Sequence, residues 1–281
     1  MEIIHRIIVN TTDEKFLLTV NEMGVEHTWR DLPGAGGRLV VLEISESHPH
    51  WNAIVALIQT KKIFEIYGKG DFFETTFSDD EIRKAPWLWL IPTFEQGYPQ
   101  PQSTWPIKQS SLELFCSKCC RHRQIASMRL KKEPHMGRKS FVTPIWTGNT
   151  FCTPEVFEAF EEIGARGFHT RDVVIHKTGE AIKNVRQLCV PGIANPGMIP
   201  YEGLVKKICP ECGQPKYYPY VKGMLQIRKE ALLPDTDFML THEWFGSGYI
   251  AFREMLVSNR IANLILDKGW RGVRFKVVEL V

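Results

Sequence analysis

No apolar run in this 281-residue chain approaches the ~20 residues that cross a bilayer, so no membrane-spanning helix and no membrane partner is expected. The start, Met1-Glu2-Ile3-Ile4-His5-Arg6-Ile7-Ile8, lacks a basic segment followed by a long apolar stretch. A secretory signal is therefore not expected, and the cytoplasm is the expected compartment. Charge of one sign is not in large excess: the formal net charge is +3, too mild to imply nucleic acid or membrane by itself. With 43% hydrophobic and 24% charged residues the chain can bury a core, which excludes disordered and fibrous classes. Its length suits two domains.

Catalytic signatures are also missing. His242-Glu243-Trp244-Phe245-Gly246 lacks the second histidine of a zinc protease, and no histidine begins the H-x-E of a zinc deaminase. Only His122 and His135 follow Cys119 closely, so a C2H2 finger is not available. The glycine-rich turn Pro33-Gly34-Ala35-Gly36-Gly37-Arg38 precedes a strand instead of opening a helix, so it reads as a plain loop and not a phosphate cradle. His48, His50, His242 and Glu243 are the candidates for an enzyme without a motif, and each reads more simply as a surface or capping residue.

What the chain does contain is seven cysteines, an odd number that argues against a secreted disulfide framework. Cys116-Ser117-Lys118-Cys119 and Cys209-Pro210-Glu211-Cys212 are two C-x2-C knuckles. Two thiolates on one tight turn can fill two corners of a tetrahedron around zinc. The expectation is one structural zinc held by Cys116, Cys119, Cys209 and Cys212, with no open position for water. Cys120 could replace Cys116 or Cys119, although Cys116 and Cys119 keep the x2 spacing. The plainer alternative is reduced thiols in two turns. The 89 residues between Cys119 and Cys209 far exceed the ~15–20 of a compact zinc ribbon. Such a site would join distant segments. Cys152 and Cys189 read as core thiols.

The pattern along the chain predicts an α+β protein. Strands are expected at 2–9, 38–44, 63–67 and 71–77. One helix should follow Thr12-Asp13-Glu14, with Phe16, Leu17, Val20 and Met23 on one face, and stop at Gly24. A second should carry Trp51, Ile54, Val55 and Ile58, and Ser78-Asp79-Asp80-Glu81 is a capping box. These elements form an expected N-terminal α/β sandwich-like domain, 1–108, of ferredoxin-like type. A zinc-ribbon α+β domain is expected over 109–281. A shift of 105 residues aligns Phe151–Phe168 with Leu256–Val273, including Gly164-Ala165-Arg166-Gly167 on Gly269-Trp270-Arg271-Gly272. This predicts a duplicated strand-helix-strand unit at about 141–190 and 238–281.

From Lys118 to Lys139 the chain holds eight basic residues and one acid, so a +7 segment sits on a −4 remainder. Arg121, Arg123, Arg129, Lys131, Lys132, Arg138 and Lys139 are the candidates there for meeting nucleic acid or an acidic partner.

The paired knuckles, Phe77-Ser78-Asp79-Asp80-Glu81 leading to Ala85-Pro86-Trp87-Leu88, Gly97-Tyr98-Pro99-Gln100-Pro101, and the ending from Leu256-Val257-Ser258 to Gly269-Trp270-Arg271-Gly272-Val273 carry a resemblance. Mainly over 110–281, the chain resembles bacterial double-CxxCG proteins and the related immunity-like proteins of polymorphic toxin systems. It departs from that pattern at Cys120, where glycine is expected. The resemblance implies a zinc-bound, non-enzymatic protein that recognises a partner protein such as a toxin. A zinc-ribbon nucleic-acid binder using 118–139 is the alternative.

Overall fold

The computed structural model describes residues 1–11, 13–31, 38–60, 71–219 and 221–281. They form two compact units, Met1–Phe77 and Ser78–Val281, both of mixed α and β structure. The expected boundary near 108 therefore differs from the observed one. The strand at Trp87–Pro92 is central to a sheet of the second unit, and the proline-rich segment after it is not a linker.

In the first unit the order is β1 (Glu2–Thr11), α1 (Glu14–Glu22), β2 (Glu26–Asp31), β3 (Arg38–Ser45), α2 (Trp51–Thr60) and β4 (Asp71–Thr76). The sheet order is β2-β3-β1-β4, with every neighbouring pair antiparallel. This is the split β-α-β arrangement of ferredoxin-like folds. Asp13 caps α1 by accepting from the amides of Lys15 and Phe16. Phe16 and Val20 of α1 and Ile54 and Ile58 of α2 pack on Ile7, Val9, Val40 and Leu42, the apolar face of β1 and β3. Strand β2 has an almost fully exposed side-chain pattern, so no hydrophobic alternation announces it. The strand expected at 63–67 and the glycine-rich turn lie outside the described residues.

The second unit begins with α3 (Asp79–Lys84), whose capping box of Ser78 and Glu81 is present, and β5 (Trp87–Pro92). Next come β6 (Leu112–Leu114), β7 (His122–Gln124), β8 (Arg129–Leu130), β9 (Phe141–Val142), β10 (Thr150–Cys152), α4 (Pro154–Glu162), β11 (His169–Ile175) and β12 (Ala181–Cys189). The chain ends through β13 (Lys206–Ile208), β14 (Pro215–Tyr217), β15 (Leu225–Ile227), β16 (Phe238–Leu240), β17 (Met255–Ser258), α5 (Asn259–Asp267) and β18 (Val273–Leu280).

Two five-stranded sheets result, ordered β8-β11-β12-β10-β9 and β15-β18-β5-β17-β16. Position by position they have the same polarity. The first two strands are parallel, and every later neighbour is antiparallel. Core residues correspond as well: Met128 with Leu225, Leu130 with Ile227, Val142 with Met239, Phe151 with Leu256, and Val173 with Val278. Each sheet takes its central strand from the other stretch of chain, β12 in one and β5 in the other.

The two halves hold one another reciprocally. The Asp237 amide donates to the Arg166 carbonyl at 2.8 Å, and the Ser140 amide donates to the Arg271 carbonyl at 2.9 Å. Beside these bonds Gly167 and Gly272 have φ of +95° and +102°. A Cβ there would lie 2.6 Å from the Phe238 oxygen and 2.2 Å from the Phe141 oxygen, so only glycine fits. Such mutual exchange of equivalent contacts is the mark of a two-fold relationship.

Candidate metal centre

Each knuckle sits in the turn of a two-stranded hairpin, Cys116 and Cys119 between β6 and β7, Cys209 and Cys212 between β13 and β14. The turns close alike, through Cys120 N–H to the Cys116 carbonyl and Gly213 N–H to the Cys209 carbonyl, both at 2.9 Å. After the first knuckle Cys120 has φ +55°, matching Gly213 at +68° after the second. Cys120 thus takes the left-handed position that normally asks for glycine. Its thiol turns toward the Ser117 carbonyl, at 3.3 Å, and is not part of the cluster.

The other four thiols converge. Cys116 and Cys209 sulfurs are 3.9 Å apart, Cys119 and Cys212 sulfurs 3.7 Å, and all four lie within 4.8 Å of one another. Zn–S bonds near 2.3 Å in a tetrahedron put sulfurs about 3.8 Å apart, whereas a disulfide needs about 2.05 Å. The spacing therefore fits four ligands around one metal ion. Among the described residues this is the one group of His, Cys, Asp or Glu at such distances.

Two cations surround the sulfurs. Arg121 Nη2 is 3.5 Å from the Cys212 sulfur. Lys216, only 8% exposed, donates through Nζ to the carbonyls of Cys119, Gly248 and Ile250 at 3.2, 2.7 and 2.9 Å. Burial pushes the Lys216 pKa down, while the neighbouring thiolates favour its charge. The Gln214 backbone N–H, followed by the adjacent thiols, lowers the Cys212 pKa and so favours its thiolate form. With a divalent ion, four thiolates would sum to −2, which these two cations would offset. Sequence spacing had no signal for Lys216; its role needs the fold.

The basic segment is dispersed. Arg123 pairs with Glu113, Arg129 donates to the His176 carbonyl at 3.1 Å, and Lys139 lies 5.7 Å from the Phe94 ring centre. Lys131, Lys132 and Arg138 remain exposed. Cys152 and Cys189 are buried, and burial raises both thiols. Glu243 accepts from the Met198 amide at 3.3 Å, a structural bond. His48 and His50 belong to the first unit, His242 and Glu243 to the second.

No helix among the described residues is long and apolar enough to cross a membrane. No protein-family model and no curated protein matches the chain.

Proposed function

We propose that the protein is a non-enzymatic, zinc-bound protein that acts through protein–protein recognition, as a toxin-immunity or related bacterial conflict factor in the cytoplasm. Cys116, Cys119, Cys209 and Cys212 would hold a single structural zinc. The observation that carries the non-enzymatic half is the closed set of four thiols, which leaves a tetrahedral ion no position for substrate. The partner-binding half rests on the resemblance that the paired knuckles carry.

The matched strand order and core positions support a tandem duplication wider than the strand-helix-strand unit expected at about 141–190 and 238–281, one that takes in both knuckles. In this reading the metal is a clasp with one hairpin from each half. The alternative, a nucleic-acid binder using 118–139, has less support. Arg121, Arg129 and Lys139 contact other side chains or carbonyls of the fold and Arg123 is held in a surface ion pair with Glu113, which leaves Lys131, Lys132 and Arg138 among the seven candidates.

The test is affinity capture from native lysate with and without nuclease, then reconstitution of the purified pair. A stoichiometric protein complex that survives nuclease is expected. Capture of nucleic acid alone, or turnover of a metabolite by the purified protein, overturns the reading.

A further inference from the structure

Beside the first knuckle, a cleft of about 520 Å³ opens on the sheet that contains β11 and β12. That volume falls in the ~300–1,000 Å³ range of small-molecule sites. Its floor carries Arg171, Gln187 and Asn149, and its walls include Trp146 and Tyr249, which are 57% and 55% exposed. Trp146 has φ +63°, a conformation a bulky side chain rarely takes and one that accumulates at binding sites. No Asp or Glu lines the cleft.

The second half of the duplicated unit shows what the corresponding place holds when it is filled. In the strand registers Phe151 pairs with Gln187 as Leu256 pairs with Trp89, and Arg171 pairs with Gln187 as Lys276 pairs with Trp89. Arg171 therefore corresponds to Lys276, Gln187 to Trp89, and, one residue before each following strand, Asn149 to Glu254. The bonds correspond too. Trp89 Nε1 donates to Glu254 Oε2 at 2.8 Å, and Gln187 Nε2 donates to Asn149 Oδ1 at 3.3 Å.

In the second half this surface is covered by the chain itself. The carboxyl group of Glu254 is buried among Trp89 and Lys276, and the Phe245 ring lies 6.3 Å from that of Trp89. In the first half the carboxyl is replaced by an amide and the surface is open. Arg171, always charged, has only a long bond to the Ala126 carbonyl, 3.4 Å, and no ion pair among the described residues. The loops differ accordingly: seven residues join β9 to β10, fourteen join β16 to β17. The longer one lends Tyr249, Phe252 and Arg253 to the cleft, and Gly148 abuts Phe252 so closely that a Cβ would lie 2.5 Å away.

The first half thus lacks the carboxyl group beside Arg171 and the aromatic ring above the sheet. A ligand can supply both. Gln124 and Gln187 form a reciprocal amide pair at 2.8 and 2.7 Å, their remaining N–H groups donating to the Ala126 carbonyl and to Asn149 Oδ1, which orients the Asn149 amide N–H group as a donor to a heterocycle edge that a plain arene would leave unused. Arg253 adds a second guanidinium, stacked 4.6 Å from the Trp244 ring centre. We propose that this cleft binds a nucleotide, its phosphate held by Arg171 and its base against the exposed aromatic rim, either free or as one unit of a single strand. This goes beyond the protein-recognition reading and does not depend on it.

The test is titration calorimetry on the zinc-loaded full chain with AMP, UMP, adenosine, ribose 5-phosphate, indole-3-acetate and an eight-residue oligouridylate. Binding of at least one mononucleotide, tighter than adenosine and ribose 5-phosphate, is expected. Free nucleotide as the ligand gives AMP or UMP affinity at least equal to that of the oligonucleotide; a strand gives the reverse. Arg171→Gln should weaken it about tenfold, and Asn149→Glu, which restores the carboxyl found in the other half, should do the same by occupying Arg171. Trp146→Ala should cost about tenfold for the mononucleotide and nothing for ribose 5-phosphate. Lys132→Gln should change nothing, and metal content should be unchanged throughout. Absence of saturation by every nucleotide probe, binding of indole-3-acetate alone, or affinity indifferent to both Arg171→Gln and Asn149→Glu overturns the proposal.

Discussion

The sulfur atoms of Cys119 and Cys212 stand 3.7 Å apart although 93 positions separate the residues in the chain. They belong to different hairpins and to different halves of the second unit, so the contact depends on the fold that brings the two hairpins together.

Metal analysis of purified protein should give one ion per chain, zinc in the reading proposed above. Cys119→Ser and Cys212→Ser should each lose it and destabilise Ser78–Val281 severely, since binding energy at such sites is folding energy, on the order of 10 kcal/mol. A wild-type protein that is metal-free and equally stable would refute the centre. Acid should release the ion as thiolates protonate, followed by metal-indicator absorbance across pH 7 to 4.

Cys120→Gly should keep the full metal content. It removes a buried thiol but also relieves a side chain held at φ +55°, and the two effects, each about 1 kcal/mol, nearly cancel. Cys120→Val should be clearly worse, because a β-branched side chain tolerates that backbone poorly. Denaturant melts of the two variants distinguish them; equal loss of metal in both would make Cys120 a ligand.

Gly167→Ala and Gly272→Ala should each cost about 3 kcal/mol, by overlap with a carbonyl across the junction and by backbone strain. Near-equal losses are the specific expectation of the two-fold relationship. Urea unfolding measures both; a neutral result at either glycine would count against it.

Glu254 gives a pH dependence. Burial raises its pKa from 4.5 to about 8, opposed by the Trp89 hydrogen bond and by Lys276. The folded state then keeps a proton that the unfolded state releases, so the contribution of Glu254 to stability is most favourable below about 4.5 and falls as pH rises toward 8. Above that, Lys276, lowered to about 8 chiefly by burial, acts in the opposite direction. Glu254→Gln should flatten the decline between pH 5 and 8, seen as a change in slope of unfolding free energy against pH. An unchanged slope would remove Glu254 as its source.

The knuckles were legible in the sequence because C-x2-C spacing is local, and so were α1, α2 and the capping box at Ser78. The extent of the proposed duplication was not. Its offset is 93 at the cysteines, 97 from Leu130 to Ile227 and 105 from Phe151 to Leu256, so no single shift aligns it. The equivalent residues keep burial and not identity, as Arg171 and Lys276 or Asn149 and Glu254 illustrate. The boundary was misplaced for a related reason: Trp87–Pro92 pairs with strands more than 160 residues later, and nothing local signals such partners. The cleft left no signal, because it is built by a difference between two loops.

The exchange of central strands bears on what any portion of this chain can do alone. Cutting between β11 and β12 would give one piece with a gap in the middle of its sheet and another with the same gap, each holding two thiols of an unfinished tetrahedron. Neither could be self-sufficient, yet each contains the segment the other lacks. The pieces should therefore reassemble when mixed, with metal as the fastener, as two subunits of a symmetric dimer would.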